Sequence, residues 1–177
     1  MRTGALLLAG RLARLLDGIN ERVGRAVAWL CVALTLLTAY DVLARYAFKS
    51  GSVALQELEW HLFSIIFLLG AGYTLKYDAH VRVDIFYAKA SARARAAIDL
   101  LGALFLLLPF CALIIWTAWG FVANSFSIRE ASGDPGGLPA RYALKAMIIA
   151  GFALVAAAGV AQALKSALRL LDGERRA

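Results

Sequence analysis

Cysteine, histidine and proline are scarce in this chain of 177 residues, which holds two, two and three of them. Cys31 and Cys111 lie inside apolar runs, show no metal-ligand spacing and imply no disulfide framework. They read as small buried hydrophobes. His61 and His80 stand at opposite ends of one apolar run, about 28 Å apart along a helix, too far to ligate one haem iron within a single chain. No nucleophile motif or zinc spacing occurs. Gly136-Gly137 lacks the Walker spacing and no strand precedes it. Acidic residues number 12 against 19 basic ones, and no apolar run carries a series of acids suited to a proton relay. The chain is therefore expected to be neither an enzyme nor the holder of a cofactor or metal.

The bulk of the sequence is instead apolar. A hydrophobic fraction of 62% is too high for an ordinary soluble domain. Four long apolar runs account for it, and they leave no room for a second, soluble domain. The expected fold is an all-α membrane protein, residues 1–177 forming a single membrane domain. Four transmembrane helices are expected at about 26–48, 57–77, 92–124 and 142–164, together with amphipathic interfacial helices. Ala5 to Gly10 is too short an apolar stretch for a signal peptide, and Arg11 and Arg14 interrupt its continuation. Residues 1–25 fit an amphipathic helix better, with Leu8, Leu12, Leu15, Leu16, Ile19 and Val23 at helical spacing and Arg11, Arg14, Glu21, Arg22 and Arg25 largely opposite.

The ends of the runs carry the polar signatures. In the first, Asp41 and Arg45 are four apart and share a face. They form an intrahelical ion pair or a polar contact with another helix. The second run opens with Glu57, Glu59, Trp60 and His61. The two carboxylates diverge by about 200° and cannot act as one clamp, whereas Glu57 and His61 can meet. This end is a capped interfacial helix start or an acidic surface for a partner. Gly70 and Gly72 permit close helix approach. After the run come His80, Arg82 and Asp84, in a basic connector, 78–91. There Arg82 either anchors to lipid or makes a bidentate contact with a partner carboxylate. Ser91 is a plausible N-cap. Pro109 predicts a kink in the third helix. Asp134-Pro135-Gly136-Gly137 marks a turn in the loop 125–141. Gly151 and Gly159 give the fourth helix small faces.

Charge sets the expected topology. All of the 19 Lys and Arg except Arg45, Lys49, Arg129, Arg141 and Lys145 fall on one side of the four runs. The positive-inside rule then places both termini in the cytoplasm and the loop 125–141 in the periplasm. The same rule accounts for the net charge of +7 without nucleic acid, and leaves membrane lipids as partners.

The run Gln56-Glu57-Leu58-Glu59-Trp60, the segment Gly70-Ala71-Gly72, the element His80-Val81-Arg82-Val83-Asp84, and Gly137-Leu138-Pro139 leading to Arg141 and Lys145 together resemble a known family. It is the DctQ-type small integral-membrane subunit of tripartite ATP-independent periplasmic (TRAP) transporters, and the resemblance covers nearly the whole chain. Many members have adjacent glutamates where Leu58 here separates Glu57 from Glu59. The resemblance implies a bacterial inner-membrane assembly. In it a periplasmic substrate-binding protein captures an organic acid, and a large multi-span membrane subunit carries it inward on an ion gradient, usually sodium. The small subunit braces the large one. The polar helix ends, Gly70, Gly72 and Gly137 are the candidate contact residues. A different class remains open: a stand-alone four-helix membrane protein that self-associates, such as a small channel, with Asp41 and Arg45 facing the pore. A membrane-anchored redox subunit is disfavoured by the histidine spacing.

Overall fold

The computed structural model of the chain describes residues 2–77, 87 and 89–174, the side chains at 2, 3, 5 and 172–174 excepted. Four long helices make up the fold, and among the described residues there is no strand. Helix α1 runs Arg2–Ala47 and α2 Val53–Lys76. Helix α3 spans Ala92–Ser127 and α4 Arg141–Glu174. Each is long and apolar enough to cross a membrane.

Helix α4 is the hub. It packs on α1, α2 and the full length of α3, while α1 and α2 also pack on each other. Helix α3 has no substantial interface with α1 or α2. The fold is thus a three-helix core, α1, α2 and α4, with α3 laid along the outside of α4.

The core is made of small residues. Apart from Val27 and Cys111, the buried apolar side chains are all alanines, among them Ala13, Ala44, Ala96, Ala158 and Ala161. Large apolar side chains point outward, including Trp29, Phe67, Phe105 and Trp116. This inversion suits lipid as the solvent. No hydrophobic force separates a leucine from an acyl chain, so helices associate by close backbone approach and polar contacts. At Gly151 an added Cβ would lie 2.6 Å from the carbonyl oxygen of Leu68, and at Gly72 it would lie 3.0 Å from the carbonyl of Leu154. These two glycines set the α2–α4 spacing. Gly70 has only Val27 at an ordinary 3.7 Å, so of the pair expected to permit close approach only Gly72 does so. Gly159 faces the flexible side chain of Leu107.

Several boundaries differ from those expected. The amphipathic segment 1–25 and the first span are one unbroken helix. A single seam explains the continuity. Ala13, Asn20, Val27 and Asp41 are buried at multiples of seven residues, with Leu34 half-buried between them. Leu8, Leu12, Leu15 and Ile19 lie on the exposed side. Helix α2 begins four residues earlier than expected, because the Ser52 hydroxyl caps it by accepting from Leu55 N–H. Glu57 and Glu59 therefore sit in its second turn, not its first. Helix α4 continues well past residue 164. Lys165 ends the apolar run but does not break a helix.

In α3 the Ser91 hydroxyl caps as expected, accepting from Ala94 N–H at 3.2 Å. The disturbance expected at Pro109 takes the form of a π turn, Ala103–Leu107, just before it. Proline lacks an N–H, and Leu108 N–H bonds to Ala103 C=O five residues back. Cys111 is buried, but Cys31 is exposed on the outer face of α1, contrary to its reading as a buried residue.

Gly151→Val forces α2 and α4 apart and is expected to lower stability by about 1–3 kcal/mol, the usual range for overpacking. Gly120→Ala meets open space within a helix and should leave it unchanged or raise it by up to about 1 kcal/mol. Thermal loss of helical circular dichroism in detergent checks both. Equal melting of the two variants would count against the close α2–α4 approach.

Candidate functional site

The most connected polar site lies at the loop end of the bundle, and Glu57 is its centre. Position 57 of α2 is buried, at 4% exposure. Its carboxylate accepts from the Ser132 hydroxyl, from Leu138 N–H at 2.6 Å and from Arg141 Nη2 at 2.8 Å. A buried carboxylate is costly unless charge and hydrogen bonds compensate it, and here both are present. Ser132 and Leu138 belong to the long loop and Arg141 opens α4, so this one side chain joins three parts of the chain.

The loop is built to reach it. Asp134-Pro135-Gly136-Gly137 forms a turn in which Gly137 N–H bonds to Asp134 C=O at 3.0 Å, with Gly136 at φ 81°. Proline in the second position and a positive-φ glycine in the third define a type II turn. Ser132 N–H then bonds to Leu138 C=O at 3.0 Å, closing the loop on itself. Gly137 lies against Glu57, where an added Cβ would come within 2.9 Å of the carboxylate and 2.4 Å of Ser132 Cβ. Pro139 is exposed, directly before Ala140, whose φ is 63°.

A second ion pair flanks the first. Lys145 Nζ bonds to Glu130, and Glu130 C=O accepts from Arg141 N–H at 2.9 Å. The Lys145 ammonium holds the Glu130 carboxyl below its ordinary 4.5. A lowered carboxyl stabilises the fold at pH above its unfolded value. That contribution is lost as the pH falls through the lower folded value.

The other expected residues distribute around this centre. Glu59 diverges from Glu57 as anticipated, and its Oε1 is buried with no hydrogen-bond partner among the described residues. His61 meets Glu57 through the main chain, Nδ1 lying 2.5 Å from the carbonyl oxygen, and not through the carboxylate. Trp60 packs against His61 with ring centroids 4.1 Å apart and the planes tilted by 40°, and carries the Arg141 guanidinium over its ring at 5.7 Å. Asp41 pairs with Arg45 within α1. Asp41 is 2% exposed, and its second oxygen has no partner among the described residues. His80, Arg82 and Asp84 lie outside the described residues.

The opposite end of the bundle, where both termini emerge, has its own clamps. Glu21 of α1 accepts from Lys76 Nζ at 2.6 Å, from the Tyr77 hydroxyl and from Arg25 at 2.8 Å. Lys165 of α4 reaches Asp17 at 3.1 Å. Asn20, 1% exposed, lies between them against Gly72. Sequence reasoning assigned no role to Ser132, Glu130, Asp17 or Asn20. Only the burial of Asn20 in the heptad register of Ala13 and Val27 left a periodic trace.

This architecture defines a multi-pass, all-helical membrane protein with ion pairs joining its elements at both ends. The family of tripartite ATP-independent periplasmic transporters, DctQ component, matches residues 34–169, and the chain belongs to that family. A TRAP transporter small permease protein of Haemophilus influenzae is 27% identical over 157 residues, covering 86% of this chain and 94% of that protein. The C4-dicarboxylate TRAP transporter small permease protein DctQ of Vibrio cholerae is 30% identical over 111 residues, covering 63% of this chain and 46% of its own length. The family is a transporter component, which is not an enzyme class.

Glu57→Ala removes the acceptor for three donors. Hydrogen exchange at Leu138 N–H should then quicken by about tenfold or more, the equivalent of the ~1–3 kcal/mol lost with a charge-assisted bond. Glu57→Gln, which keeps one acceptor oxygen, should fall between. Unchanged exchange in both variants would mean that the loop is held by something else.

Proposed function

We propose that this chain is the bracing small subunit of a TRAP transporter in a bacterial inner membrane. It packs against a large multi-span membrane subunit that, with a periplasmic substrate-binding protein, imports an organic acid on an ion gradient, of sodium in the usual case. The observation that carries this reading is where the polar groups lie. Glu57, Glu130, Glu21 and Asp17 are each committed to a lysine or arginine of another helix or of the loop. Each of these ion pairs joins two parts of the chain to each other. Outside, the bundle presents large apolar side chains on α1, α2 and α3, which suits docking along the membrane.

Substrate selection on this account belongs to the partners. The dicarboxylate in the name of the Vibrio relative suggests the class of acid. Partner contact is expected along the membrane-embedded helices and at the polar ends, with His80, Arg82 and Asp84 fixing the cytoplasmic end. The self-associating channel is the weaker reading. Arg45 already neutralises Asp41 within its own helix, so no ring of unpaired charge is left for a pore.

Orientation follows from the basic residues, with both termini inside. A single cysteine at the exposed Asp134 should react with an impermeant reagent applied from the periplasm, and one at Ala177 should not. Ser132 is unsuited to this test, since its hydroxyl holds Glu57. Equal labelling would refute the orientation.

Function is tested by reconstitution. Vesicles holding only this chain should take up no organic acid under a sodium gradient. Adding the large subunit and the binding protein should produce uptake. Uptake by the pure chain would end the bracing reading.

A further inference from the structure

Two cavities meet at the end of the bundle where the termini lie. The first is an apolar cleft of about 260 Å³ on the face of α4 between α2 and α3. It exists because α2 and α3 both rest on α4 without packing on each other. Phe67, Ala71 and Leu75 form one wall, Leu107 the other, and Gly151 and Val155 the floor. From Phe67 to Leu75 the cleft runs about 12 Å along α2, most of the ~15 Å depth of one leaflet.

The second cavity, about 160 Å³, begins where the cleft stops, and Leu75 lines both. Its character is opposite. Lys76, Lys165 and Arg169 line it, with Gln162, Ser166 and the carboxylate of Asp99. Asp99 is engaged by the Tyr87 hydroxyl at 2.9 Å. Lys76 and Lys165 each spend one donor on Glu21 and Asp17. Arg169 is exposed and has no acidic partner among the described residues. Ser166, 1% exposed, has a buried hydroxyl with no hydrogen-bond partner among the described residues. A buried hydroxyl without a partner is uncommon in a folded chain and points to a group that completes it.

The geometry points to a phospholipid site, holding one anionic lipid of the leaflet on the termini's side. Its phosphate sits in the basic cup, and one acyl chain lies in the cleft between α2 and α3. The juxtaposition selects this occupant. A dry apolar slot of leaflet depth opens into a cup that, among the described residues, is lined by Lys76, Lys165, Arg169 and Asp99, at the level where headgroups lie. Lys76 and Lys165 already have carboxylate partners, so among the described residues the charge left to satisfy is that of Arg169, with the hydroxyl of Ser166 beside it. An apolar partner helix would satisfy neither, and a free phosphate would leave the cleft unfilled. The inference rests on the membrane placement of the helices and is independent of which subunits the chain joins.

The test uses the full chain in nanodiscs of equal phosphatidylglycerol and phosphatidylcholine. The protein is released into detergent and weighed intact by native mass spectrometry. One phosphatidylglycerol should be retained in preference to phosphatidylcholine. Arg169→Gln should lower that retention about tenfold, the scale of one charge-assisted contact. Arg169 is exposed, so this variant keeps the fold, which an unchanged thermal melt verifies. Ala71→Phe fills the cleft without touching a charge and should lower retention of both lipids. Leu107→Trp, on the opposite wall, repeats that arm if the first variant melts early. Equal retention of the two lipids by the native chain overturns the proposal, as does native retention in Arg169→Gln. Displacement of the lipid by millimolar inorganic phosphate would assign the cup to a soluble anion and overturn the lipid. Release of a copurifying large subunit by Ala71→Phe, with lipid retention unchanged, would give the cleft to a partner helix and overturn it equally.

Discussion

The close approach of α2 to α4 is the constraint on which the rest of the structure depends. At Gly151 the Leu68 backbone lies so near that no Cβ fits, and at Gly72 a Cβ would press on the Leu154 backbone at 3.0 Å and strike the Asn20 side chain of α1. In lipid this contact cannot be driven by excluding water, so it must come from dispersion between closely apposed surfaces. The alanine-rich core follows from the same need, as does the outward turn of large side chains such as Trp29, Phe67, Phe105 and Trp116. Helix α1 joins through a seven-residue seam. Its small or polar positions, Ala13, Asn20 and Val27, let it lie in the groove that α2 and α4 make.

Small-residue contacts alone specify register weakly, because one alanine is much like the next. The polar groups at the two ends supply what the seams lack. At one end Glu57 ties α2 to the loop and to Arg141, and Lys145 ties α4 to Glu130. At the other, Glu21 ties α1 to Lys76, and Asp17 ties it to Lys165. Each bond crosses between elements, so sliding α1, α2 or α4 by one turn would leave several charges unpaired at once, and an unpaired buried charge is expensive. The result is a body fixed at both ends, with α3 attached through α4 alone. Such a body suits a brace better than a moving part.

Much of this was legible in the amino-acid order, though not evenly. The four apolar runs located four helices because hydropathy reports membrane crossing directly. It reports helix ends poorly. Lys165 marks the end of the apolar run in α4, but the helix continues to Glu174. Likewise the arginines of the first 25 residues mark a change of surroundings along α1 and not a break in it. Glu57, Gly137, Leu138 and Arg141 stood out as candidates through family resemblance, and the fold brings them together. Their partner Ser132 did not stand out, because a contact spanning 75 residues leaves no periodic trace. Glu21 was placed with the arginines on the polar side of the amphipathic segment for the same reason, since its partner Lys76 lies 55 residues away.

The proposed bracing role is tested most directly by mapping which outer surface touches another subunit in native membranes. Photo-reactive side chains placed singly at Trp29, Phe63, Phe105 and Trp116 sample the exposed faces of α1, α2 and α3. The account predicts cross-links to a large multi-span protein from a contiguous subset of these positions, on one side of the bundle. Cross-links only to further copies of this chain would contradict it and favour the self-associating channel.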